Sequence, residues 1–140
     1  MTNRETYRGQ VFVKNLSRDD LLYLAGFMDG EGCISRNKDQ CFQLLIYNTD
    51  RDIIEWVQKT VGTGSIHENH RKNTTHKTLY SWRLGRLADI ESFLTQIAPF
   101  LKIKKEKAKL TLTVVSQRLD SGYGSPLSSN QKTLIEHTTE

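Results

Sequence analysis

The chain has 140 residues, a formal net charge of +4 and 26% charged side chains. That length buries about two-thirds of the unfolded surface around one core and is too short for two. Cys33 and Cys41 form no C-x-x-C pair and the four histidines have no zinc spacing, which sets aside a zinc domain and leaves reduced strand cysteines in an intracellular protein, with a hairpin disulfide as the alternative. The polar, charged N-terminus is no secretory signal, so no membrane partner is expected.

In chain order, Ser17 with Asp20 three residues on resembles a capping box, and Leu21, Leu24, Ala25 and Met28 recur behind it at helical spacing. A helix over residues 18 to 30 follows. Strands over 33 to 37 and 41 to 47 form a hairpin around Asn37, Lys38 and Asp39. Thr49 and Asp52 cap a second helix with Ile53, Ile54, Val57 and Val61 inward, and Gly62 and Gly64 end it. A second hairpin spans 65 to 71 and 79 to 84. Helices over 87 to 98, with Leu87, Ile90, Phe93, Leu94 and Ile97 inward, and over 104 to 119 are parted by Pro99. The order α-β-β-α-β-β-α-α is an α+β fold. An arm at 1–16, a domain at 17–119 and a Gly/Ser-rich tail at 120–140, mobile or a short helix near residues 130 to 136, complete the chain.

Charge is unevenly spread. Residues 64 to 86 hold five Lys or Arg and three His against Glu68, and residues 102 to 118 hold six Lys or Arg against Glu106. Each run alone reads as a solvated face, but two of them in one small domain point to a polyanion.

The first helix ends unusually. Gly26 and Gly30 have the G-x-x-x-G spacing that lets backbones approach closely, on an apolar run of only about a dozen residues, too short to cross a bilayer. Each glycine costs roughly 1 kcal/mol against alanine in a helix, so their smallness serves a contact. Asp29 and Glu31 stand at the helix C-terminus, where the dipole disfavours acids unless a cation joins them. Carboxylates with free carbonyls suit Mg²⁺, Mn²⁺ or Ca²⁺. A glycine C-cap with two solvated acids is the alternative that spacing leaves open.

Residues 22 to 32, Leu-Tyr-Leu-Ala-Gly-Phe-Met-Asp-Gly-Glu-Gly, resemble the motif of the LAGLIDADG homing endonucleases. So do Asn48-Thr49-Asp50 before the second helix and the stretch from Phe93-Leu94-Thr95-Gln96 through Pro99-Phe100-Leu101-Lys102-Ile103-Lys104. The similarity covers roughly residues 17 to 115. It implies a fold with an antiparallel four-stranded DNA-binding sheet and a site-specific double-stranded DNA endonuclease using Mg²⁺, with Mn²⁺ substituting and Ca²⁺ binding without cleavage. It further implies that two motif helices pack together. With one motif copy, this chain should be a homodimer on a roughly palindromic site, contacting its partner through Ala25, Gly26, Asp29 and Gly30. By correspondence, Glu31 and the Gly30 carbonyl hold metal, and Asp29 supports the turn or assists indirectly. The chain has Glu31 where many relatives have Asp. Lys104 matches a lysine near the active-site water, Asn48 stands for a water-holding glutamine with Gln43 as its rival, and Arg51 is a further catalytic candidate.

Alternation gives the strands a second, outward face. Ser35 and Asn37, then Cys41, Gln43 and Tyr47, then Ser65, His67, Asn69 and Arg71, then Ser81 and Arg83, with Lys77 before the fourth strand, offer groups that bond base edges in a major groove. An ordinary solvated sheet face is the alternative. Lysines of the last helix would hold phosphates. Two other functions fit the resemblance: a group I intron RNA maturase of the same fold, and a non-cleaving DNA-binding regulator, which would be expected to lack Glu31.

Overall fold

In the computed structural model, the Ser17 hydroxyl accepts the Asp20 N–H at 3.2 Å and opens α1, Arg18–Glu31. The structure describes residues 9–36, 42–70 and 77–121. Asn37, Cys41, Arg71, the turn at 37 to 39 and the anticipated helix near 130 to 136 lie outside the described residues. After α1 come β1 (Gly32–Arg36), β2 (Phe42–Asn48), α2 (Arg51–Val61), β3 (Ser65–Asn69), β4 (Leu79–Leu84), α3 (Leu87–Ile97), a 3₁₀ turn (Ala98–Phe100) and α4 (Lys105–Ser121). The expected order of helices and strands is present.

The start of α2 corrects one expectation. Asp50, not Thr49, caps it: the Asp50 carboxylate accepts the Asp52 N–H at 2.9 Å and the Ile53 N–H at 3.4 Å. Gly62 ends the helix with φ 94°, the left-handed conformation that glycine adopts at least cost. Gly64, at φ 104°, has no room for a side chain, because a Cβ there would run into the Trp82 indole nitrogen. That indole N–H donates to the Thr63 carbonyl at 3.0 Å.

The strands form one antiparallel sheet in the order β1-β2-β4-β3. Phe42, Leu44 and Ile46 of β2 and Trp82 and Leu84 of β4 are buried beneath α1, α2 and α3; on the opposite face Gln43, Tyr47 and Arg83 are open to solvent in part or in full, while Leu45 and Ser81 are buried. Trp82 meets Phe93 of α3 with ring centroids 5.5 Å apart. Each such fully buried side chain contributes about 1.5–3 kcal/mol. Leu87, Ile90, Phe93, Leu94 and Ile97 are all buried, as their spacing requires. The last helix, α4, packs chiefly on α3 and the 3₁₀ turn. Its lysines therefore belong to the helical layer, across the molecule from the outward face of the strands.

The arm ahead of α1 is tied into the domain by α3. Asp89, fully buried, accepts the Phe12 and Val13 N–H groups at 2.7 and 3.2 Å and pairs with Arg86 at 3.0 Å. Gln96 accepts the Leu16 N–H at 2.9 Å and donates to the Lys14 carbonyl at 3.1 Å. A carboxylate without water is tolerable only when bonded in this way.

Candidate active site and nucleic-acid face

Two faces of α1 differ. Leu21, Leu24, Ala25 and Met28 are buried in the core, whereas Leu22 and Tyr23 on the other side are 47% and 55% exposed. Ala25 was expected beside Gly26 and Gly30 in a contact between subunits. At 2% exposure it is closed over by its own chain, because a helix turns by about 100° per residue and places Ala25 and Gly26 on different faces. The glycines then separate by cause. A Cβ on Gly32 would stand 2.6 Å from the Met28 carbonyl oxygen, but one on Gly26 or Gly30 would meet nothing within 4 Å. Among the described residues, nothing in this chain needs Gly26 or Gly30 to be small.

The open face forms one wall of a depression of about 640 Å³. Tyr23, Gly26, Phe27 and Glu31 line it from α1, and Asn48, Asp50 and Ile53 from the junction of β2 with α2. Tyr23 also stacks edge-on against Trp56, with centroids 5.1 Å apart. Sequence reasoning missed Leu22, Tyr23, Phe27 and Trp56 as members of this face. The signal was present: the apolar residues of α1 run around the whole helix, which calls for burial on both sides.

Glu31 is exposed at the end of α1, and among the described residues no hydrogen bond or ion pair engages its carboxylate. Asp29 is fully occupied. Its carboxylate accepts the backbone N–H groups of Lys102 at 2.8 Å and Lys104 at 3.0 Å, and the Lys104 ammonium donates to the Asp29 carbonyl at 2.8 Å. No basic residue lies in the last turn of α1, so Lys104 supplies the cation that a helix C-terminus favours. Burial pushes the Asp29 carboxyl up, but the N–H groups of Lys102, Lys104 and Ile103 and the charge of Lys104 outweigh it and hold it below the ordinary value.

The outer-shell candidates are engaged elsewhere. The Asn48 side-chain oxygen accepts the Asp50 N–H at 2.8 Å, an Asx turn that leads into the cap of α2, although Asn48 does share the depression with Glu31. Arg51 bonds Glu55 at 2.9 Å and Glu68 at 3.4 Å and lies over the Tyr80 ring. The hydrogen bond to Glu55 is the main cause that raises its pKa.

On the sheet, Ser35 pairs with Gln43, Arg83 lies between Leu45 and Ser65, and Ser81 lies between Tyr47 and His67. The expected residues of the outward face are therefore gathered, with Asn69 opposite Leu79 and Lys77 exposed before β4. Ser65 bonds the His67 ring at 3.0 Å. Ser81 is on the anticipated face but only 5% exposed, low in a depression that it lines with Tyr47, His67, Asn69 and Arg83.

A LAGLIDADG-like domain model matches residues 19–98. The chain belongs to the LAGLIDADG family. It is 28% identical over 122 residues to the DNA endonuclease I-CreI of Chlamydomonas reinhardtii, covering 79% of this chain and 70% of that protein. Its fold is similar to that of the homing endonuclease I-CvuI, solved with DNA in the presence of Mg (TM-score 0.58, 16% identity, covering 88% of this chain and 96% of that one). The archaeal intron-encoded I-Vdi141I, complexed with DNA, is alike at TM-score 0.55 and 17% identity, over 86% and 98% of the two chains. Against the meganuclease I-SmaMI, at TM-score 0.58 and 16% identity, 90% of this chain matches only 45% of the longer one. Among the described residues, no helix is long and apolar enough to cross a membrane.

Proposed function

We propose that two copies of this chain pair through the open face of α1 and act as a homing endonuclease, hydrolysing one phosphodiester in each strand of a long, roughly palindromic DNA site. The observation that carries this reading is the unengaged Glu31 carboxylate at the end of a helix whose Gly26 and Gly30 face is uncovered. One molecule offers a single wall and a single free acid; a two-fold axis along α1 supplies the second of each. The match of this chain to about half of I-SmaMI supports the same arithmetic.

A hard divalent cation fits the residues present. Among the described residues there is no group of three His, Cys, Asp or Glu that would enclose a metal. One carboxylate and nearby carbonyls leave room for water and phosphate oxygens, the arrangement Mg²⁺ prefers. I-CvuI has been solved with the I-CreI target in the presence of Mg, the DNA uncleaved, and with its own target in the presence of Ca. Glu31 and the Gly30 carbonyl would hold the ion. When bound, it neutralises charge on the attacked phosphate and stabilises the leaving 3′ oxygen.

The remaining work belongs to the chain itself. An ammonium has three donors; Lys104 spends one on the Asp29 carbonyl and keeps two for a phosphate oxygen or the attacking water. Gln43, Tyr47, Ser65, His67, Asn69, Lys77 and Arg83 read base edges from the sheet, joined by Ser35 and by Asn37, Cys41 and Arg71 beyond the described residues.

The test begins with a randomised duplex library, bound in Ca²⁺ to select a target and then challenged with Mg²⁺. The Glu31→Gln protein should bind the selected duplex as the parent does and leave it intact. Cleavage by that variant at the parental rate would remove Glu31 from the site.

A further inference from the structure

The two halves of the candidate site come from distant parts of the chain. Glu31 ends α1, and Lys104 stands in the bend between the 3₁₀ turn and α4. What joins them is Asp29. Its two carboxylate oxygens each take one backbone N–H of the bend, Oδ2 from Lys102 and Oδ1 from Lys104, and its carbonyl takes the Lys104 ammonium. A single bond would leave the bend free to pivot about it. Two bonds to the carboxylate and a third returning from the lysine fix translation and rotation together.

Little else holds this bend in place. The side chain of Ile103, between the two bonded amides, is 78% exposed and contributes no packing. Leu101 before it is buried, and α4 begins at Lys105, so the segment is anchored at both ends and set in the middle by the carboxylate. Asp29 does not line the depression that holds Glu31, and each of its carboxylate oxygens is bonded to the bend.

We propose that Asp29 is a positioning residue for cleavage: it sets where the Lys104 ammonium stands relative to Glu31, and governs the chemical step without touching metal or DNA. This rests on the reading of Glu31 and Lys104 as the groups that act on the phosphate. Displacement of a positioned group by about 1 Å can cost about a hundredfold in rate, whereas an acid that serves only to cap α4 would change stability and leave the chemistry alone.

A double-mutant cycle on the full-length dimer separates the two roles. Single-turnover cleavage of the selected duplex, binding in Ca²⁺ and thermal unfolding are measured for the parent, Asp29→Asn, Lys104→Ala and the double variant. Asp29→Asn should slow cleavage by about tenfold to a hundredfold with DNA affinity within about twofold, and in the Lys104→Ala background the same change should cost less than about twofold. Equal losses in both backgrounds, or a loss confined to binding, would overturn the positioning role while leaving Glu31 and the nuclease reading intact. Full activity of Lys104→Ala would overturn both the role of Lys104 and this proposal. Should Asp29→Asn fail to fold, Asp29→Glu keeps the charge and the acceptor oxygens but shifts the bend. It should unfold near the parental temperature and still cleave slowly; parental cleavage by Asp29→Glu would overturn the proposal.

Discussion

Asp89 and Glu31 are both carboxylates at the ends of structural segments, and they are treated oppositely. Asp89 is sealed from water and bonded to two backbone N–H groups and an arginine; Glu31 is exposed and bonded to nothing described. The first has found all its partners within its own chain and is part of the scaffold. The second has none among the described residues, at a helix end whose dipole opposes it, where solvent or a cation is left to meet it. Substituting each should therefore damage different properties.

The largest effect expected is on catalysis. Glu31→Gln should lower cleavage in Mg²⁺ by at least about a thousandfold, about 4 kcal/mol of barrier. Its urea midpoint should stay close to the parental one, because an exposed, unpaired side chain is worth within about 0.5 kcal/mol of stability. Asp89→Ala reverses the pattern. It removes the carboxylate that the amides of Phe12 and Val13 and the Arg86 guanidinium bond and should destabilise the fold by about 3 kcal/mol or more, read as a lower urea midpoint. If Asp89→Ala unfolds like the parent, the arm ahead of α1 is not held as its hydrogen bonds to Asp89 indicate.

Gly26 sharpens the comparison from the side of the partner. Leucine at this position has open space in a single chain and improves helix propensity by up to about 1 kcal/mol. In light scattering the parent should run as a dimer and Gly26→Leu as a folded monomer that has lost cleavage. A Gly26→Leu protein that still dimerises would place the subunit contact elsewhere.

Local order in the chain was largely legible from its residues, and contacts across it were not. The inward stripe of α3 and the Ser17 cap depend on spacing over a few residues, and both stand as expected. At the start of α2, Thr49 and Asp50 are both competent caps side by side; backbone geometry selects Asp50, and propensity has no means to choose. Ala25 and Gly26 are both small, and only the orientation of α1 on the sheet decides which one faces its own core. Ser81 alternates correctly yet is buried between Tyr47 and His67, whose neighbourhood is set by pairing between strands far apart in sequence. The bonds from Asp29 to Lys102 and Lys104 span more than seventy residues, beyond the reach of any periodic pattern. The free state of Glu31 is likewise a fact about which residues do not approach it.

The smallest effect concerns Asp29, which lies between the two extremes because it is partly exposed and fully bonded. Its carboxyl is held below the ordinary value of 3.8 in the folded chain, so on acidification the unfolded chain takes up its proton first. The group thus adds stability that is fully present above about pH 5 and is lost as pH falls through 3.8 towards the lowered folded value. Asp29→Asn has no such proton to exchange. The difference in unfolding temperature between parent and Asp29→Asn should be constant at neutral pH and narrow below 3.8, at fixed ionic strength. A difference that widened on acidification would mean that the amides of Lys102 and Lys104 do not prefer the charged form, and the bend would then need another anchor.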